Sequence, residues 1–135
     1  KKDYAQAERL YRRAAVRGLP AAQNNLGMLY LRGEGVTQDQ ERAAEWFEKA
    51  AKQGNADAAY NLAMLCEYGK GVNLSHIRAV GLCKQAAMHG HVGAAEWLFR
   101  NGYTAWVENV RREMRENGPG VKPPSDRMGV SEAHD

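Results

Sequence analysis

The chain has 135 residues, with 19 basic and 16 acidic side chains and a net charge of +3, which is enough for one modest, nearly charge-balanced domain. With 44% hydrophobic and 26% charged residues it has the make-up of an ordinary globular domain rather than a disordered one. No apolar run approaches the ~20 residues that span a bilayer, no aromatic-plus-basic stripe suggests nucleic acid, and two cysteines are too few for a disulfide framework.

In chain order, the first predicted helix runs from Lys2 to Arg17 and stops at Gly18. The next begins at Pro20, tolerated at a first helical position because its missing N–H needs no partner there. It carries Ala21, Ala22, Leu26, Met28, Leu29 and Tyr30 at helical spacing. Gly33 and Gly35 end it and permit a tight connection. Asp39 is then placed to cap a third helix, whose apolar stripe is Ala43, Trp46, Phe47, Ala50 and Ala51. That stripe predicts Trp46 in the core beside residues such as Leu62. After Gly54 the plan repeats: a helix from Asp57 to Tyr68, a turn at Gly69 and Gly71, a cap at Ser75, and a helix from Ile77 to Met88.

The repetition is quantitative. Ala14-Ala15, Ala50-Ala51 and Ala86-Ala87 stand 36 residues apart, as do Gly18, Gly54 and Gly90. Asp3, Ala7, Tyr11 and Ala14 return as Asp39, Ala43, Phe47 and Ala50. A fixed period of this size marks a solenoid, in which each unit buries its apolar face only by stacking on the next. The division is a partial unit 1–18, full units 19–54 and 55–90, and a degenerate cap unit 91–117. In the cap, Ala94-Ala95-Glu96-Trp97-Leu98 opens a short helix that Asn101-Gly102 ends. A last helix, Ala105 to Glu116, is expected to start from a Thr104 cap. Residues 118–135, with Gly118-Pro119-Gly120 and Pro123-Pro124, read as a flexible tail. The chain opens within a repeat at Lys1, without an initiator Met or an apolar signal core, as a mature form or a fragment of a longer array does. Its compartment is not legible.

The run from Ala22 to Val36, with Asn25-Leu26-Gly27, Tyr30 and Gly33-Glu34-Gly35-Val36, is followed by Asp39, Ala43, Trp46-Phe47, Lys49-Ala50-Ala51 and Gly54. This pattern resembles the Sel-one-like repeat family, relatives of the tetratricopeptide repeats, over residues 3–100. The resemblance implies an all-α, right-handed superhelix of antiparallel helix pairs, closed here by a C-terminal capping helix. It also implies adaptor or scaffold work, often in bacteria. The second full unit departs from the pattern: Cys66 stands at the tyrosine position, Cys83 at an aromatic one, and Ala63 replaces the helix-packing glycine.

Candidate chemistry is sparse. Cys66 and Cys83 fall on the two helices of one unit, either as an interhelix disulfide, if their Cα atoms lie within about 7 Å, or as two buried free thiols. His89-Gly90-His91 is interrupted by a helix stop, so no metal site is expected. The glycine pairs lie between helices, not after strands, and are turns rather than phosphate cradles. Glu45, Glu48 and Asp57 sit on mixed-charge faces with Arg42, Lys49 and Lys52. No nucleophile–base constellation can be assembled, so no enzyme activity and no cofactor are expected.

In tetratricopeptide-like stacks the first helix of each pair lines the concave face. Register places Asn24, Met28, Leu31 and Arg32 there in one unit, Tyr60, Met64, Glu67 and Tyr68 in the next, and Glu96 with Arg100 in the cap. Tyrosine, methionine and arginine suit a protein-binding surface, although recurrence of Met28 and Met64 at one offset also suits packing between repeats. The expected function is a protein–protein interaction module, as adaptor, scaffold or inhibitor/immunity protein, that binds a protein or peptide on this face. The alternative is a spacer or cap of a longer array.

Overall fold

The computed structural model describes residues 3–118. They form seven helices in chain order: α1 (Tyr4–Val16), α2 (Pro20–Arg32), α3 (Gln40–Lys52), α4 (Ala56–Tyr68), α5 (His76–Met88), α6 (Val92–Arg100) and α7 (Thr104–Asn117). There is no strand among the described residues. Each helix packs chiefly on its neighbours in sequence, so the all-α architecture is a helical repeat stack. The segment read as a tail lies, beyond Gly118, outside the described residues.

Side-chain caps set the helix starts. Asp3, Asp39 and Ser75 share one repeat position. They accept the backbone N–H of Gln6, Arg42 and Arg78 at 3.0, 3.0 and 3.1 Å. Helix α1 therefore begins at Tyr4 rather than Lys2. Helix α5 begins one residue before Ile77, and α4 one residue before Asp57 because Asn55 caps it at 2.8 Å. At the start of α7 the expectation fails: Thr104 is the first helical residue, and the preceding Tyr103 makes no side-chain cap.

Small residues let the helices approach closely. Ala15, Ala43, Ala50, Ala58, Ala79, Ala86 and Ala94 are at most 1% exposed. Leu26, Leu62 and Leu98, one per unit, are equally buried. A Cβ on Gly27 would lie 2.6 Å from the ring of fully buried Phe47. Gly27 is thus the hole that the phenyl ring fills. In the next unit the same two positions hold Ala63 and Cys83, a larger residue matched by a smaller one. Trp46, expected beside Phe47 in the core, is only partly buried and lines a surface cleft instead. Adjacent helical positions point about 100° apart, and here Phe47 is fully inside while Trp46 packs at the edge of the core.

The turn glycines join successive units. Gly35 and Gly71 have φ of +78° and +74°, and a Cβ on either would collide with backbone, of Tyr4 and Gln40 respectively. Each turn therefore rests on the start of the second helix of the preceding pair.

The Gly27–Phe47 fit generates a double-mutant prediction. Gly27→Ala should destabilise by about 1–3 kcal/mol through overpacking. Combining it with Phe47→Cys should cost less than the sum of the two single changes by about 1 kcal/mol. Urea unfolding of the four proteins measures this; strict additivity would show that the two side chains do not share one space.

Candidate interaction face and its surroundings

The ten residues placed by register on the first helices divide into a floor and an exposed rim. Met28, Leu31, Tyr60 and Met64 are partly buried and pack against the core. Arg32, Tyr68, Glu96 and Arg100 are exposed, Tyr68 by 64%. Met28 and Arg32 also line a cleft of about 360 Å³ between α1 and α2, with Tyr4, Tyr11, Asn25 and Glu34.

Two links across this face were not anticipated from sequence. The Asn61 amide donates to Asn24 Oδ1 at 3.0 Å and lies 3.5 Å from Met28 Sδ, tying α4 to α2. Asn24 is therefore engaged within the stack, and Met28 serves the inter-repeat packing. The recurrence of Asn25 as Asn61 was the available signal. The second link runs from α4 to the start of α6. His91 Nδ1 accepts the Ala94 N–H at 3.0 Å, Nε2 lies 3.2 Å from Asp57 Oδ1, and the ring stacks on Tyr60 at 4.7 Å. The ring nitrogen takes the place of the Asn55 carboxamide oxygen one repeat earlier. His91 is thus a helix cap clamped by Tyr60 and Asp57, not a solvated turn residue. His89 turns the other way, its Nδ1 3.0 Å from the Gln85 carbonyl. No cluster of three or more metal-ligating side chains exists among the described residues.

Glu67 points to the second helix of its own pair, where its carboxylate lies 2.8 Å from His76 Nδ1. The His76 ring in turn lies 5.7 Å from that of Trp97. Behind it are the two cysteines, both free and fully buried. Burial, and then the charge of Glu67, pushes the Cys83 thiol up to about 12. Burial also raises Cys66, against the opposing pull of Arg78, whose Nη1 lies 3.8 Å from its sulfur. The other terminal nitrogen of Arg78 donates to Glu48 at 2.7 Å. Where the first full unit has Tyr30, with Arg42 5.4 Å from its ring centre, the second has this thiol–guanidinium contact.

Comparison with known proteins matches the Sel1 repeat model to residues 1–19, 20–55 and 56–91. No curated protein matches. Among solved structures, a Sel1 repeat protein from Oxalobacter formigenes is 42% identical over 74% of this chain and 29% of its own, with a TM-score of 0.69. A protective antigen present in uropathogenic Escherichia coli strains, displaying an SLR fold, is 31% identical over 98% of this chain and 25% of its own, with a TM-score of 0.67. Cysteine rich protein B of Helicobacter pylori is similar in fold, with 24% identity over 72% of this chain and 73% of its own, and a TM-score of 0.68. The chain thus spans between a quarter and a third of the length of the first two.

The geometry makes two predictions. His91→Ala should destabilise the protein by about 1 kcal/mol through loss of a helix cap, and His91→Asn should restore most of it. Thermal melts of the two variants measure this, and equal melting would show that the cap carries no stability. The thiolate is the reactive form of cysteine, so both thiols should resist iodoacetamide at pH 8 in the native protein and react once it is unfolded. Mass spectrometry counts the adducts, and rapid native alkylation would show the thiols to be accessible. Because the folded-state value of Cys83 lies above its ordinary 9.0, its stabilising effect is complete below pH 9 and is lost as pH rises toward 12.

Proposed function

The chain belongs to the Sel1 repeat family, whose members are generally protein-interaction modules, and on that premise we propose that it binds a protein or peptide across its first helices, α2, α4 and α6. Arg32, Tyr68, Glu96 and Arg100 form the contacting rim, over a floor of Asn24, Met28, Leu31, Tyr60, Met64 and Glu67. The observation that carries this reading is a contrast within the repeat. Framework positions such as Leu26, Leu62 and Leu98 keep one identity, whereas the exposed position of Arg32 becomes Tyr68, and the position that holds Asn24 and then Tyr60 reaches the surface in the cap as Glu96. A scaffold needs the first set held; recognition uses the second. An exposed tyrosine and two exposed arginines supply the residue types on which binding energy concentrates. Adaptor, scaffold and inhibitor roles all use such a face.

Affinity capture with the wild-type chain and with an Arg32→Ala/Tyr68→Ala variant tests the reading. The variant should lose a specific partner by at least about tenfold, the scale of one or two contact residues of this type. Glu41→Ala, on a second helix, should leave capture unchanged. A partner retained by the double variant would place recognition elsewhere.

A further inference from the structure

The junction between α3 and α5 is tied by Arg78 donating to Glu48 at 2.7 Å. One repeat earlier, between α1 and α3, the same two positions are Arg42 and Arg12. The arginine of the pair is kept, and a second arginine stands where the carboxylate should be.

Both arginines line one cleft of about 690 Å³, together with Val16, Tyr30, Trp46 and Lys49. They also share a smaller adjoining cleft of about 290 Å³. Their side chains are 53% and 57% exposed. Each is already steadied at one edge. Arg12 pairs with the buried Glu8 beneath it, and the Nε of Arg42 lies 3.9 Å from Asp39 while its guanidinium lies over the Tyr30 ring. A guanidinium has five N–H donors, so each keeps donors for a further acceptor. Glu45 and Glu48 also border the larger cleft; the charge of Glu45 acts on Arg42 without an ion-pair contact to it, and Glu48 is taken by Arg78 and lies 3.8 Å from Lys52. Lys49 lies over the Trp46 ring at 4.9 Å.

We propose that the α1–α3 junction is a binding site for a carboxylate side chain of a protein partner, held between Arg12 and Arg42 and flanked by Val16 and Trp46. The occupant's chemistry is shown one repeat further on, where the equivalent arginine takes a glutamate of this same chain. A carboxylate accepts two guanidinium forks in good geometry and relieves the repulsion between like charges brought to one wall. The site lies on the second helices, apart from the face of α2, α4 and α6, so it is independent of that face as a point of contact.

The test uses the intact chain and a fluorescent peptide containing several glutamates, alongside its glutamine isostere. The glutamate peptide should bind about tenfold or more tightly than the isostere, with an affinity that weakens as salt rises. Arg42→Gln should remove that preference. Arg12→Glu, which installs in the first junction the carboxylate of the second, should abolish it; because it also removes the partner of the buried Glu8, its urea midpoint should fall, and binding is measured where the variant is folded. Arg32→Ala/Tyr68→Ala should leave it intact. Equal binding of the two peptides would overturn the proposal, as would an unchanged preference in folded Arg42→Gln or Arg12→Glu protein. Inorganic phosphate bound at Arg12 and Arg42 in place of the glutamate peptide would overturn the carboxylate assignment.

Discussion

The stack depends on helices that meet through alanine and glycine. Nine nearly inaccessible alanines bring backbones close enough for one leucine per unit to fill the space between pairs. At such distances a single methyl group matters, which is why the exchange of Gly27 and Phe47 for Ala63 and Cys83 is best understood as one event rather than two. The thiol there is a volume, not a reagent, and its raised pKa is the electrostatic expression of the same tight packing. Cys66 fits the same account, with Arg78 reaching to its sulfur where Arg42 instead sits over Tyr30.

Polar side chains do the complementary work of fixing register, within units as well as between them. Side chains of Asp3, Asp39 and Ser75 start the second helices, Asn55 and His91 start first helices, and Asn61, Gln85 and Arg78 each reach back into the preceding unit. A buried Gln23 joins this set, donating to the Ala15 carbonyl at 3.1 Å and accepting from Gln53 at 2.9 Å. Apolar contacts tolerate sliding, whereas directional bonds to particular atoms do not. Adhesion and alignment are thus divided between two classes of side chain.

Much of the scaffold was legible in the sequence because a repeat prints its own alignment. Caps, stops and buried leucines recur at one spacing, so each position is read more than once. Trp46 was misplaced because hydrophobicity alone does not say which of two adjacent apolar residues turns inward. The answer depends on Gly27, on another helix. Asn61 and His91 escaped for a related reason: their partners lie a whole unit away, and a single polar residue at a helix start or face has many possible uses. The face proposed for interaction could be laid out from sequence as a set of positions, but not divided into floor and rim, since exposure follows from neighbouring helices that no local pattern describes. Glu67 shows this most clearly, turned by His76 toward its own pair.

The reach of the bonds between units has a consequence for how such a chain comes into being. Asn61 bonds to Asn24 across 37 positions, and Arg78 and Gln85 span 30 and 34. A connectivity this local favours rapid folding. It also means that a unit emerging from the ribosome finds its partners in the segment just made, without waiting for a distant terminus. The molecule can then assemble by accretion rather than by closure. Duplication or deletion of one 36-residue segment would leave every remaining contact at its former separation, so length in this architecture is free to vary in evolution while the rules of each junction persist.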